Sequence, residues 1–375
     1  MKILIAGNLA NMGYEIAKAM RKKGVDVKLL LPKYPKKYED PKNMYPELEQ
    51  EGFPDWIVRY DNHERGFGLK NWKFQVIKEM RKKEYDAIIA LTEFSIFAML
   101  SGKPYGALST GSDMRELSFE RTLKGFLYRL SYKKARAVIW GEPDKFKLLK
   151  KLGILKKSIF TTAPRNIDFK PQKIERDDLK NKFVIFHPVS QDWRLKNNQK
   201  FLYAFKKICD SRDDVHLIIS KRGSDLEKAT KILSEGSSSD KFEFVPPLNT
   251  NDLQYYYNLA DVIVDQFGIG SIGMITVEAM KCAKPVILEI DHESFRRCYS
   301  YISDGLINVN SEDKIYNELI KLIENPNLCD DLGTKNKKWV KENWDNDKLS
   351  ERYIIICKAI IENNLTLVGD PIKLF

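Results

Sequence analysis

Histidine and cysteine are scarce in this chain, four and five residues among 375. The cysteines (Cys209, Cys282, Cys298, Cys329, Cys357) lie scattered, with no C-x-x-C pair and no histidine cluster at metal-ligand spacing. That pattern excludes a disulfide framework and a structural zinc, and predicts reduced thiols. No stretch approaches the roughly eighteen uninterrupted apolar residues of a membrane-spanning helix. The opening "MKILIAGN" soon turns polar and lacks the layout of a secretory signal, so a cytoplasmic protein is expected.

Charge is plentiful but uneven. Residues 1–170 carry 34 Lys+Arg against 20 Asp+Glu, net +14, whereas residues 171–375 carry 29 against 32, net −3. The basic character therefore belongs to the N-terminal half. It is spread over several helical patterns without an aromatic-interleaved recognition motif, which argues against a nucleic-acid binder. The length exceeds what one hydrophobic core usually serves, so two domains are expected.

The first 31 residues read as strand, helix, strand: "KILIAG", then "NLANMGYEIAKAMRKKG" ending on Gly24, then "VDVKLLLP" stopped by Pro32. "DAIIALT" and "ARAVIW" read as further buried strands between helical patterns. "TTAPRNIDFKPQ" is the linker candidate, after which "FVIFHP", "VHLIIS", "FEFVPP", "DVIVDQF" and "PVILEI" continue the alternation. "WDNDKLSERYIIICKAIIENN" reads as a last long helix capped at Asp345 or Asp347. Alternating strands and helices predict open parallel sheets covered by helices.

"GIGSIGMITVEAMKCAKPVILEID" (268–291) contains G-x-G-x-x-G at Gly268, Gly270 and Gly273, with Glu289 about twenty positions on. In a dinucleotide fingerprint the first glycine follows its strand almost directly. Here Asp265, Gln266 and Phe267 intervene, and the run is at least the fourth after the linker. The alternative is a helix start whose N–H groups at Gly273, Met274 and Ile275 hold the diphosphate of a nucleotide sugar, with Glu278 one turn on reaching the ribose.

"GSIGMITVEAMKCAKPVI" resembles the E-S-F-G-x-x-x-x-E-A-M-A-x-G-x-P-V block of GT-B retaining glycosyltransferases, the glycosyltransferase family 4-like or group 1 enzymes, with Glu278, Ala279, Met280 and Pro285 matching. In the same order "GNLANMGYEIAKAMRKKG" is similar to their first glycine-rich turn and helix, and "GKPYGALSTGSDMRE" to the segment ending H-G-S-D. "RNIDFKP" is similar to their linker, "HPVSQDWRLKNN" to the loop carrying a basic phosphate pair, and "PLNTNDLQYYYNLADV" to the approach to the donor loop. Three positions depart: Gly270 stands where the first acid of E-x7-E falls, Thr110 where a histidine precedes G-S-D, and Ser190 where many relatives have arginine.

The resemblance implies an α/β fold of two Rossmann-like parallel-sheet domains facing a cleft, with a C-terminal helix crossing back to the N-terminal domain. Residues 1–165 would bind the acceptor, 166–345 the nucleotide sugar, and 346–375 would form the returning helix. The implied activity is metal-independent, hexosyltransferase-type transfer from a UDP- or GDP-sugar to a glycan or lipid-linked acceptor, with retention and no cofactor, in polysaccharide or glycolipid biosynthesis. A sugar-nucleotide epimerase of the same architecture and a non-catalytic nucleotide-sugar-binding partner remain alternatives.

Arg194 and Lys196, just past the strand "FVIFHP", are placed to stabilise charge on the departing phosphate; the competing reading is two solvated cations. Asp113 would contact substrate hydroxyls or cap a helix beginning at Met114. Gly7 and Asn8 would let the first helix approach the donor phosphates, or form an ordinary turn and cap. The one D-x-D, Asp345-Asn346-Asp347, reads as a helix cap, and His187 as structural. "RTLKGFLYRLSYKKARA" groups Leu123, Phe126, Leu127 and Leu130 among Arg121, Lys124, Arg129, Lys133 and Lys134. It suits either a core-facing helix with a basic back or peripheral contact with an anionic membrane at the inner face of the cell.

Overall fold

Apolar runs that end at glycine, proline or polar turns become strands, and the amphipathic segments between them become the helices that cover both sheet faces. In the computed structural model, the structure describes residues 1–64, 71–166 and 168–374. The chain divides into two units, Met1–Ile167 with Trp344–Phe375, and Asp168–Asn343.

Among its described residues the first unit holds seven strands: β1 (Lys2–Ala6), β2 (Asp26–Pro32), β3 (Ile57–Tyr60), β4 (Ala87–Leu91), β5 (Tyr105–Ser109), β6 (Ala137–Trp140) and β7 (Ser158–Phe160). They lie in the order β3-β2-β1-β4-β5-β6-β7, and every pairing is parallel. Ile3 pairs with Val27 on one side and Ala87 on the other. Strands buried on both faces are near-continuously apolar, as "KILIA" and "AIIAL" are.

The second unit holds β8 (Phe183–His187), β9 (Val215–Ser220), β10 (Phe242–Val245), β11 (Val262–Val264), β12 (Val286–Leu288) and β13 (Leu306–Asn308). Their order is β10-β9-β8-β11-β12-β13, again all parallel. Its core is built from the strands and from Phe201, Phe205 and Leu319 on flanking helices.

The last helix, Asn346–Glu362, starts at Asp345, whose carboxylate accepts the Lys348 N–H at 2.9 Å. It buries Tyr353, Ile356, Cys357 and Ile360 in the first unit's core. Gly106 in β5 makes room for it, since a Cβ there would lie 2.6 Å from the Ile360 side chain. Arg136 donates to the Ile360 and Ile361 carbonyls at the helix end, where cations favour the dipole. The chain leaves the first unit through Asn166, whose N–H donates to Glu15 at 2.8 Å; the Tyr45 hydroxyl reaches the same carboxylate.

Truncating Ile356, fully buried among these residues, is expected to cost about 2–5 kcal/mol. Ile356→Ala should lower the urea midpoint of the first unit's unfolding and leave the second unit's transition in place; an unchanged midpoint would show that the helix contributes nothing to that core.

Candidate functional site

Each sheet changes its winding direction once, between β1 and β4 in the first unit and between β8 and β11 in the second. At such a point the loops leaving adjacent strands diverge, and the crevice at the carboxyl ends of the strands is where open α/β sheets bind ligands. Most of the candidate residues gather at these two places.

In the second unit, β8 leads into a loop and the turn Trp193–Lys196, and β11 leads through Asp265–Gly273 into the helix Met274–Lys281. The two loops are joined by their main chains: the Phe267 N–H donates to the Lys196 carbonyl at 2.8 Å, and the Asn197 side chain donates to the Phe267 carbonyl. Gly268 permits the approach, since a Cβ there would lie 2.4 Å from the Leu195 oxygen. Gln266 shapes the glycine turn from inside, accepting from the N–H groups of Gly268 and Ile269 and donating to the Ser271 carbonyl. Gly270 sits at φ +75, a conformation that favours glycine.

Gly273 is the N-cap of the following helix and no side chain caps it. The N–H groups of Met274 and Ile275 begin a helix whose dipole favours an anion, and these two residues are half-buried while Gly273 is exposed. Lys196 is half-buried and Arg194 exposed on the adjoining turn. Burial raises the Asp265 carboxyl, and nearby Lys196 opposes that shift; Asp265 also accepts the Thr276 hydroxyl.

Glu278 is 2% exposed. It is therefore not a solvated helix carboxylate, and one of its oxygens accepts the buried Tyr257 hydroxyl at 3.0 Å. Burial first, and then Glu278 beside it, push the Tyr257 phenol well above its ordinary range. Glu289 lies on the neighbouring strand end, its N–H on the Gln266 carbonyl.

In the first unit a cavity of about 380 Å³ opens at the β1/β4 switch point. Gly7 and Asn8 line it from β1, Glu93 from β4 and Asp113 from β5. Tyr60 and Trp72 stack in its wall with centroids 5.8 Å apart. Gly7 has φ +93, and a Cβ there would lie 2.8 Å from the Phe94 ring. Thr92, a β-branched residue at φ +49, holds a strained conformation of the kind that collects at functional sites. Burial raises the Glu39 carboxyl, Lys36 opposes this and Glu93 adds to it.

Two of the predicted residues act as braces here. Asn8 accepts the Tyr14 N–H at 2.7 Å, near the start of the first helix, and donates to the Glu39 carbonyl at 2.8 Å. Asp113 accepts from the N–H groups of Gly111 and Thr110 and the hydroxyls of Ser109 and Tyr132. The helix there begins at Ser112, so Asp113 ties back the turn before it and does not cap a helix starting at Met114. Beneath the same strand ends, Arg115 binds Asp144 in a fork at 2.7 and 2.9 Å, and buried Lys145 pairs with Glu142 and donates to the Ser109 carbonyl. Burial would raise Glu142, but Lys145 and Arg115 hold its carboxyl below the usual value.

The spacing of the sequence motifs did not point to Gln266, Asp265, Tyr257, Glu39 or the aromatic wall. For Gln266 and Asp265 the available signal was their position between strand and glycine; Glu39, at the end of a short 3-10 turn, and Trp72, at the start of a helix, carry no such signal. A larger recess of about 780 Å³ lies by edge strand β13. Several of its charges pair with one another, Lys335 with Asp304 and Asp331, and Lys321 with Glu318, so it offers less to a ligand.

His187, at the end of β8, is fully buried and hydrogen-bonds the Val264 carbonyl through Nδ1 at 2.8 Å. Burial, opposed by that bond, lowers its pKa from 6.5 to about 4. The unfolded chain then binds a proton that the folded chain refuses, so stability present above pH 6.5 falls by about 3 kcal/mol as the pH drops towards 4. Urea unfolding of wild type and His187→Asn from pH 7 to 4.5 should show their difference in stability shrinking; a constant difference would mean that His187 titrates normally.

Residues 167–339 match the family described as glycosyl transferases group 1. No curated protein matches the chain by sequence. Among solved structures, Anabaena Alr3699/HepE in complex with UDP and glucose superposes with TM-score 0.75 at 14% identity, covering 96% of this chain and 100% of that one. Sucrose-phosphate synthase from Thermosynechococcus elongatus gives 0.72 at 14% identity with the same coverage. S. aureus TarM, in complex with fondaparinux, alpha-GlcNAc-glycerol and UDP, gives 0.69 at 10% identity, covering 99% and 100%. The chain thus has the two-Rossmann-domain GT-B fold, and its residues 167–339 are similar to the group 1 glycosyl transferases.

Proposed function

We propose that the chain transfers a hexosyl group from a UDP- or GDP-sugar to a hydroxyl of a glycan or lipid-linked acceptor, with retention of anomeric configuration and without a metal ion. The observation that carries this is the match of residues 167–339 to the group 1 glycosyl transferases. That domain contains the switch point where the Lys196 turn is hydrogen-bonded to the glycine loop before an uncapped helix start. The complexes of HepE with UDP and glucose and of TarM with UDP support a nucleotide-diphosphate donor.

In the reaction the bond between the anomeric carbon and the phosphate oxygen breaks, a bond to the acceptor oxygen forms, and the acceptor's proton is released. Negative charge accumulates on the departing diphosphate, and preorganised donors aimed at that charge lower the barrier. Lys196, Arg194 and the N–H groups of Gly273, Met274 and Ile275 supply them. These cations do the work a metal would otherwise do, and the one D-x-D is occupied as a helix cap at Asp345. Glu278, held by Tyr257, receives the ribose hydroxyls.

The acceptor belongs in the first unit's cavity. Its aromatic wall offers flat apolar faces, and Glu39 and Glu93 offer acceptors for sugar hydroxyls. Asp113 serves there as a positioning residue, since four donors already occupy its carboxylate.

A thermal-shift screen of UDP- and GDP-sugars, paired with an assay of released nucleoside diphosphate, tests this. Lys196→Ala should weaken donor binding about 10- to 100-fold, as expected for loss of a charge-assisted contact. Glu278→Ala should weaken it as well, with Tyr257→Phe as the control for loss of the buried bond alone. Unaltered donor stabilisation in both Lys196→Ala and Glu278→Ala would remove the site assignment. Donor binding with no nucleotide release would favour a non-catalytic partner.

A further inference from the structure

The helix Leu123–Lys134 carries its apolar residues on the wrong side for a core helix. Its buried face is Gly125, Tyr128, Ser131 and Tyr132. At about 100° per residue, Leu123, Phe126, Leu127 and Leu130 form a stripe on the opposite side. Leu123 is 75% and Phe126 52% exposed, and Leu127 and Leu130 are half-buried. The sequence allowed a core-facing stripe with a basic back; the tyrosines take the core instead, with Tyr132 donating to Asp113 and the Ser131 carbonyl accepting the Tyr105 hydroxyl.

The stripe is ringed by charge of one sign. Residues 119–134 contain Arg121, Lys124, Arg129, Lys133 and Lys134 against the single acid Glu120, and Arg121, Lys124, Lys133 and Lys134 are exposed. Lys151 adds a further cation, lying over the Phe119 ring at 4.8 Å just before the helix. Arg129 is turned inward, donating to the Ser118 and Glu120 carbonyls, which fixes the turn that presents Arg121 and Leu123. An exposed leucine and phenylalanine within a cationic ring match the headgroup and upper acyl region of an anionic bilayer. A protein partner of ordinary composition would leave those cations unmatched.

We infer that the face of helix Leu123–Lys134 bearing Leu123, Phe126, Leu127 and Leu130 seats the protein on an anionic lipid bilayer. Leu123 and Phe126 insert, and the surrounding lysines and arginines meet the lipid phosphates. Lys124 and Tyr128 of the same helix also line the 380 Å³ cavity, so the seated surface brings that cavity to the headgroup layer. That this serves a lipid-borne acceptor rests on the function proposed above, whereas the seating itself does not.

The test is co-sedimentation of the full chain with vesicles of phosphatidylcholine alone and of phosphatidylcholine with phosphatidylglycerol, about 7:3. Binding is expected to the anionic vesicles only and to weaken as salt is raised. Leu123→Asp/Phe126→Asp is expected to lose at least about ten-fold in vesicle affinity while keeping the wild-type melting temperature, since both side chains are exposed. No vesicle binding, equal binding to neutral vesicles, or undiminished binding by the double variant would overturn the inference. So would a wild-type dimer that the double variant converts to monomer, which would show that a second copy covers the stripe. Vesicle binding by a protein that releases no nucleotide from any sugar donor would remove the transferase reading and leave the membrane seat standing.

Discussion

A parallel sheet that reverses its winding leaves two neighbouring strand ends whose loops must part, and the second unit depends on how closely it lets them return to one another. Gly268 has no side chain, so its backbone can pack against the Leu195 carbonyl, and the Phe267 N–H bonds the Lys196 carbonyl. That main-chain seam brings a cationic turn beside a helix start with no side-chain cap. Gln266 holds the intervening glycine turn from within, so the geometry does not rely on a ligand to order it. Preorganised dipoles of this kind stabilise developing charge without reorganising during reaction.

Carboxylates divide into two sets by what surrounds them. Glu15, Asp113, Asp265 and Glu278 are buried and hydrogen-bonded. They fix the linker, the turn after β5, and the seating of helix Met274–Lys281 against the residues around it. An unpaired buried charge would be costly, and each of these has local donors. Glu39 and Glu93, by contrast, line an open cavity, where burial and, to a smaller degree, the neighbouring Glu93 raise the Glu39 carboxyl. Asn8 and Asp113, singled out by motif, thus brace turns at the cavity's edge, while Glu39, Tyr60 and Trp72, outside any motif, complete its wall.

The asymmetry of charge between the two halves has a local counterpart. Cations on the first unit are not simply a solvated coat: Lys145 is fully buried against Glu142 and the Ser109 carbonyl, Arg115 clasps Asp144, and Arg136 closes the end of the last helix. Those around Leu123 and Phe126 remain at the surface beside exposed apolar side chains. This combination gives the N-terminal excess of +14 a direction.

The sequence alone determined the alternation of buried parallel strands and helices, because a strand covered on both faces must be a nearly unbroken apolar run, as "KILIA", "AIIAL" and "FVIFH" are. It also narrowed the cap of the last long helix to Asp345 or Asp347, of which the structure uses Asp345, and showed the departure of the 268–273 turn from a dinucleotide fingerprint. Edge strands β3, β7 and β13 escaped notice because runs of three or four residues are too short to show a period, and β5 because Gly106 interrupts it to admit Ile360. Only the tertiary structure decided which groups meet at the strand ends. Local pattern could not show that Glu278 would be sealed under Tyr257, that Asp113 would turn back on its own loop, or that tyrosines would take the core side of helix Leu123–Lys134. Those outcomes depend on which donors the folded chain brings to a side chain, and periodicity along the chain carries no information about a partner on another helix such as Tyr257 or Tyr132.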